Sequence, residues 1–226
     1  MEAEAALTAL NARADAENAA AQAAYHKAAR VYLGLRNPEI DALVKDWRAA
    51  LGGDLEKRVA LADALWGSDI HDARVAAAKL LTQARIRDDA PVWRLIASWV
   101  PAFDAWAVAD HAASAGARRL SADPSRLDEV ESWTTHENFW VRRAAMVFTL
   151  PWSKGRHLSP DDQARRERVL GWAAGYVDDR EWFIQKSIGW WLRSLSKHDP
   201  ARVAAFLEEY GERMKPFARR EASKYL

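Results

Sequence analysis

Four times along the chain a residue with a short polar side chain stands directly before a proline: Asn37-Pro38, Asp123-Pro124, Ser159-Pro160 and Asp199-Pro200. The polar side chain can accept a hydrogen bond from an orphan N–H of a first helical turn, and proline at the first helical position gives up no bond. Each pair therefore writes a helix start. From the second to the fourth the spacing is roughly forty residues, the period of HEAT-type helical hairpins. No stretch sustains period-two alternation between turn residues, so no strand is expected. No Gly-rich linker or charge block divides the chain. The reading is all-α: HEAT-like helical-hairpin repeats over 1–226 as a single domain, forming a curved α-α solenoid. The second helix of each hairpin would line its concave face.

Within that frame, Met1–Ala24 is Ala-rich and acidic with Arg13 as its one basic residue, and predicts a surface helix. Tyr25 to Leu33 predicts a second, ending at Gly34, and Asn37 caps a third. Further helices are expected at Glu56–Trp66, Asp72–Ala84, Pro91–Trp99, Phe103–Ser114, Ser125–Trp133, Phe139–Leu150, Asp161–Ala174, Trp182–Lys197, Arg202–Glu209 and Lys215–Lys224.

The chain has no cysteine, so disulfides, thiolate chemistry and Cys-type zinc sites are excluded, which suits a reducing cytoplasm. No apolar run approaches the roughly 20 residues that cross a bilayer, and the acidic start is unlike a signal peptide. The six histidines form no ligand-spaced pair on a helix, so neither metal nor organic cofactor is expected. Formal net charge is only +1. Any nucleic-acid role must then rest on local charge, such as Arg118-Arg119, Arg142-Arg143, Arg165-Arg166 and Arg219-Arg220.

Three stretches carry candidate chemistry. In Trp182–Lys197, Ile184, Ile188, Trp191 and Leu195 make one apolar stripe. A second row, Trp182, Lys186, Trp190, Arg193 and Lys197, lies far around the same helix. Cations there could meet phosphates while an indole lies on sugar or base; equally, a neighbouring helix could cover Trp190. In Phe103–Ser114 the apolar side is Ala105, Val108, Ala109 and Ala112, which turns Trp106 and Asp110 (i, i+4) away from the densest packing. The bland alternative is a tryptophan in a seam with an aspartate at its wet edge. In Phe139–Leu150, Arg142 falls off the apolar arc and reads as surface. Arg143 falls in its middle, where a guanidinium must meet a carboxylate, carbonyls or a phosphate.

These residues carry a resemblance. W-A-V-A-D at Trp106–Asp110, F-W-V-R-R-A-A at Phe139–Ala145, F-I-Q-K-S-I-G-W at Phe183–Trp190 and R-R-E-A-S-K-Y at Arg219–Tyr225 resemble the AlkD-type DNA alkylation-repair glycosylases. Tyr32–Pro38 and Leu65-Trp66 resemble that family's N-terminal landmarks. The resemblance runs from about Tyr25 to the end and leaves out the Ala-rich start. It implies hydrolysis of the N-glycosidic bond of N3- and N7-alkylated purines in duplex DNA by a cytoplasmic, nucleoid-associated monomer, without base flipping. By motif, Trp106 and Trp190 match tryptophans that pack on the lesion's deoxyribose, and Asp110 matches the catalytic carboxylate. Arg143 matches a phosphate-holding arginine and Tyr25 a cleft-edge tyrosine. Lys186, Arg193, Lys197 and Arg220 fall at basic positions suited to DNA phosphates, and Trp140 reads as core. The family's frequent Glu is here Asp72, read as a structural change, and the low net charge implies weak non-specific DNA binding. A relative that binds distorted DNA without excision, or a HEAT-type protein scaffold, are the alternatives.

Overall fold

A computed structural model of the protein describes residues 1–226. Its regular backbone is thirteen α-helices with short 3₁₀ turns and no strand; an isolated parallel bridge, Val31 to Ile70, is the only β-type pairing. The chain divides into two compact units, Met1–Ala122 and Asp123–Leu226. The first holds α1 (Ala3–Asn11), α2 (Ala16–His26), α3 (Asn37–Leu51), α4 (Leu55–Gly67), α5 (His71–Leu81), α6 (Ala90–Trp99) and α7 (Trp106–Ala122). The second holds α8 (Leu127–Ser132), α9 (Phe139–Phe148), α10 (Pro160–Gly175), α11 (Trp182–Ser196), α12 (Pro200–Tyr210) and α13 (Pro216–Ala222). In the first unit α5 packs on α3, α4 and α7, and α6 packs on α4 and α7; in the second, α11 packs on α9, α12 and α13. Within each unit this is the hairpin packing that the proline spacing implies, with α5 and α7 as second helices of the first and α9, α11 and α13 of the second.

The caps behave as their chemistry dictates. Ser159 accepts from the N–H of Asp162 at 3.2 Å, and Asp199 from that of Arg202 at 3.0 Å, each at the head of a proline-started helix. Asp123 accepts from Ser125 at 3.2 Å but opens a 3₁₀ turn that becomes α8 only at Leu127. Asn37 is not a cap: it is the first helical residue. Arg36 precedes it, and the Glu39 carboxylate accepts the Arg36 N–H at 2.8 Å.

The N-terminus departs from expectation. Met1–Ala24 is two helices, because Asp15 caps a new start through the N–H of Asn18 at 3.0 Å. Helix α1 is not merely superficial: Ala6 and Leu10 are fully buried, and it packs on α3, α4 and α5. Nor is Tyr25–Leu33 a helix. Helix α2 stops at His26 because Lys27 takes φ 61°, and the chain then runs as a loop to Arg36. Buried Asp72 holds that loop by accepting the N–H groups of Leu33 (2.7 Å) and Leu35 (2.8 Å). Gly34 between them has φ 85°, and a Cβ there would fall 2.3 Å from the Asp15 carbonyl oxygen. Only glycine fits.

Each unit is centred on one helix with a small-residue contact. Ala73, Ala76, Ala77 and Ala78 of α5 are buried and admit α4 and α7 closely. On α11, Ile184, Ile188, Trp191 and Leu195 are fully buried, the stripe read from the sequence. Gly189 lets α13 approach: a Cβ there would sit 3.0 Å from the Ala218 carbonyl oxygen. No helix is long and apolar enough to cross a membrane.

Candidate functional site

The second helices share a register that motif reading alone does not reveal. They begin at His71, Trp106, Phe139, Trp182 and Pro216, and their fifth residues are Val75, Asp110, Arg143, Lys186 and Arg220. In four of the five repeats this one position therefore carries the candidate carboxylate or one of three candidate cations; in the first it is Val75. An aromatic ring stands at or next to the start of each. The repeat frame, degenerate in sequence, is kept in helix boundaries.

In the N-terminal unit, Trp106 and Asp110 are half-buried one turn apart on α7, while Ala105, Val108, Ala109 and Ala112 on its other side are buried. Tyr25, at the end of α2 and well exposed, meets Trp106 edge-on with ring centroids 5.9 Å apart. Two site residues 81 positions apart in sequence thus lie together. The start of α7 is fixed by Asp104, which pairs with the Arg30 guanidinium; Arg30 also reaches Asp69 at 3.8 Å, and its side chain is buried.

Histidines that spacing along one helix cannot reveal gather at the same place. His26 lies 5.3 Å from Trp106 and stacks on His71 at 4.7 Å, which stacks on Tyr32 at 4.8 Å. With His111 they border a cavity of about 220 Å³ beside Trp106. Burial disfavours the imidazolium, so all three are held below the usual histidine range, His71 to about 3. At neutral pH the surroundings of Trp106 are aromatic and uncharged at these rings.

In the C-terminal unit Arg143 is buried, as its place in the apolar arc requires, with its guanidinium 5.8 Å from the Trp140 ring. Trp140 is not core but half-buried in an aromatic row, 4.7 Å from Phe139 and 4.5 Å from Phe183. Arg142 is not ordinary surface either: it donates to the carbonyls of His136 and Glu137 (both 2.8 Å) and pairs with Asp179 at 2.9 Å. On α11 Trp190 is half-buried, whereas the adjacent Trp191 is fully buried and donates to the Thr149 carbonyl. Lys186 is exposed over the Trp182 ring at 4.7 Å, and Lys197 is exposed over Tyr225 at 4.5 Å. Arg193 pairs with Glu221, and Arg220 is exposed.

One buried side chain missed in sequence positions this helix. Gln185 donates to the carbonyls of Tyr176, Val177 and Asp179 (3.2, 3.0 and 2.8 Å) and accepts the N–H of Lys215 at 2.8 Å. It ties the loop before α11 to the head of α13. No cluster of three or more His, Cys, Asp or Glu side chains is arranged to hold a metal ion.

Comparison with known proteins gives this geometry a family. A solved structure described as a predicted DNA alkylation repair enzyme from Enterococcus faecalis shares 26% identity over 95% of this chain and 97% of its own, with a TM-score of 0.77. The crystal structure of AlkD2 from Streptococcus mutans has the same fold: TM-score 0.62, 20% identity, 85% of this chain and 91% of that one. No curated protein matches. A sequence profile described as DNA alkylation repair enzyme matches residues 6–226, and so takes in the Ala-rich start that the motif resemblance left out. The chain belongs to the DNA alkylation repair enzyme family.

Proposed function

We propose that the protein is a DNA glycosylase that hydrolyses the N-glycosidic bond of cationic N3- and N7-alkylated purines in duplex DNA, acting as a monomer without metal or organic cofactor. The observation that carries this is the face of α7 on which Trp106 and Asp110 remain half-exposed while Ala107, Val108, Ala109 and Ala112 around them are buried. An indole and a carboxylate one turn apart suit a cationic sugar better than a neutral one.

An N3- or N7-alkylpurine already bears a positive charge and leaves as a neutral base, so it needs little general-acid help. As the C1′–N bond breaks, its electron pair goes to the base and positive charge develops on the deoxyribose. Asp110 stabilises that charge and orients a water to add at C1′. The faces of Trp106 and Trp190 attract the sugar more strongly as it becomes cationic. These interactions grow toward the transition state, which is what lowers the barrier. Arg143, Lys186, Arg193, Lys197 and Arg220 contact backbone phosphates, and Tyr25 borders the sugar. Because every assigned group addresses sugar or phosphate, extrusion of the base is not required, unlike in most glycosylases.

The test is excision from a duplex carrying one N7-methylguanine, read as strand cleavage at the abasic site after alkali, with Asp110→Asn beside wild type. Release by wild type and not by the variant is expected. DNA binding without release from this or an N3-methyladenine duplex would replace excision with recognition of damaged DNA.

A further inference from the structure

The site residues assigned above leave the N-terminal unit with no phosphate contact, yet it holds a cleft of about 490 Å³. Its walls include Lys45 on α3, Lys79 on α5, and His111, Ser114 and Arg118 on α7. Two observations together point to an anionic ligand. The first concerns pairing. In a chain with 33 Lys and Arg against 32 Asp and Glu, many surface cations are spoken for, among them Arg74 by Asp69, Arg168 by Glu131, Arg202 by Glu167 and Arg219 by Glu212. Lys45 and Arg118 are exposed, have no carboxylate partner, and line the same cleft. Lys79 is the exception there, paired to Asp41 at 2.6 Å.

The second is register. Trp106, Asp110, Ser114 and Arg118 succeed one another every four residues, so the cleft continues along α7 from the carboxylate side chain. His111 borders both this cleft and the cavity beside Trp106, which joins the two places through one neutral side chain. From Asp110 to Arg118 the helix rises about 12 Å, on the order of three base-pair steps at about 3.4 Å each along a duplex axis.

We propose that this cleft binds the DNA sugar–phosphate backbone flanking the lesion, with Lys45 and Arg118 as its phosphate contacts and Ser114 as a hydroxyl donor to the same strand. The N-terminal unit then grips DNA for itself rather than supplying Asp110 alone. The inference rests on the reading that Asp110 faces the damaged nucleotide.

The experiment measures binding of undamaged duplex DNA against salt concentration, for wild type and the double variant Lys45→Gln/Arg118→Gln, with circular dichroism to confirm folding. Each lost phosphate contact should lower the slope of log K on log salt by about 0.9, so the pair should lower it by about 2. A methylphosphonate scan around an abasic-site analogue then locates the contact. Neutral linkages about three steps to one side should weaken wild type and leave the double variant unaffected. An unchanged slope, or a scan identical in the two proteins, overturns the proposal. Excision enters neither readout: a protein that binds through these cations but releases no base keeps this inference and loses the glycosylase reading.

Discussion

Helix α7 of the N-terminal unit and helix α11 of the C-terminal unit each begin on a tryptophan, Trp106 and Trp182, and set a charged side chain four residues on, Asp110 and Lys186. What surrounds the two positions differs. Around Trp106 lie Tyr25 and His26 with His71 behind, rings whose imidazoles burial keeps neutral. Around Trp182 lie Phe183, Phe217 and the ammonium of Lys186 itself. The repeat frame fixes where the charged side chain stands; under the proposed function, the neighbours suit Asp110 to a developing cation and Lys186 to a fixed anion. Asp110 stands among rings that carry no competing positive charge, whereas Lys186 stands exposed to solvent.

The sharpest way to break this contrast is to neutralise its acidic member. Asp110→Asn keeps shape and hydrogen-bonding capacity but removes the charge proposed to meet the sugar cation. Excision should fall by about 10²–10³, the cost of removing one preorganised transition-state contact, while DNA affinity stays within about twofold. Single-turnover rates with binding isotherms check it. A tenfold loss or less would leave the indoles to account for catalysis.

A second contrast lies in how each unit holds its loops. Asp72 in the first turn of α5 accepts two N–H groups of the Leu33–Leu35 segment; Gln185 in the first turn of α11 donates to three carbonyls and accepts one N–H. The same fold problem is solved with opposite polarity. Asp72→Ala should cost about 3–5 kcal/mol, since two charge-assisted bonds vanish and two buried donors are orphaned. Gln185→Ala should cost less, because its groups are neutral. Urea unfolding of both variants decides it, and equal losses would mean that charge assistance contributes nothing at Asp72.

Much of this was legible in sequence and some was not. The proline-started helices, the α11 stripe and the less buried row far around the same helix follow from local rules, because capping and 3.6-residue periodicity act within a few residues. Tyr25–Leu33 misled because its composition suits a helix; Asp72, far along the chain, holds the N–H groups of Leu33 and Leu35 in a loop instead. The meeting of Tyr25 with Trp106, and of His26 with His71, is likewise tertiary, and no spacing on one helix contains it. Arg142 and Arg143 are neighbours with different fates, one tied to carbonyls and Asp179, the other buried beside Trp140.

The histidines of the N-terminal unit make the contrast sensitive to pH. Folded His71 has a pKa of about 3 against 6.5 unfolded, so between those values the unfolded chain binds the extra proton. Stability therefore rises with pH through this window and is lost as pH falls below 6.5, by about 1.4 kcal/mol per unit well inside it. His26 and His111, shifted in the same direction by desolvation, add to the slope. His71→Phe keeps a ring against His26 and Tyr32 and should flatten the dependence of denaturation midpoint on pH between 4 and 6. An identical slope in the variant would remove His71 as its source.

The smallest effects test the basic member of the comparison. Lys186 is exposed and leans on an indole, whereas Arg193 on the same helix is already paired with Glu221. A phosphate can recruit Lys186 at once but must displace Glu221 to recruit Arg193, so part of the guanidinium's attraction is offset before DNA arrives. Lys186→Gln should lower the salt slope of DNA binding by about 1, and Arg193→Gln by less. Glu221→Gln then discriminates between causes. If the carboxylate holds Arg193 in check, this variant should bind DNA a few-fold more tightly and steepen the slope. If Arg193 faces no phosphate, Glu221→Gln removes only a nearby negative charge, and Arg193→Gln in that background changes nothing further.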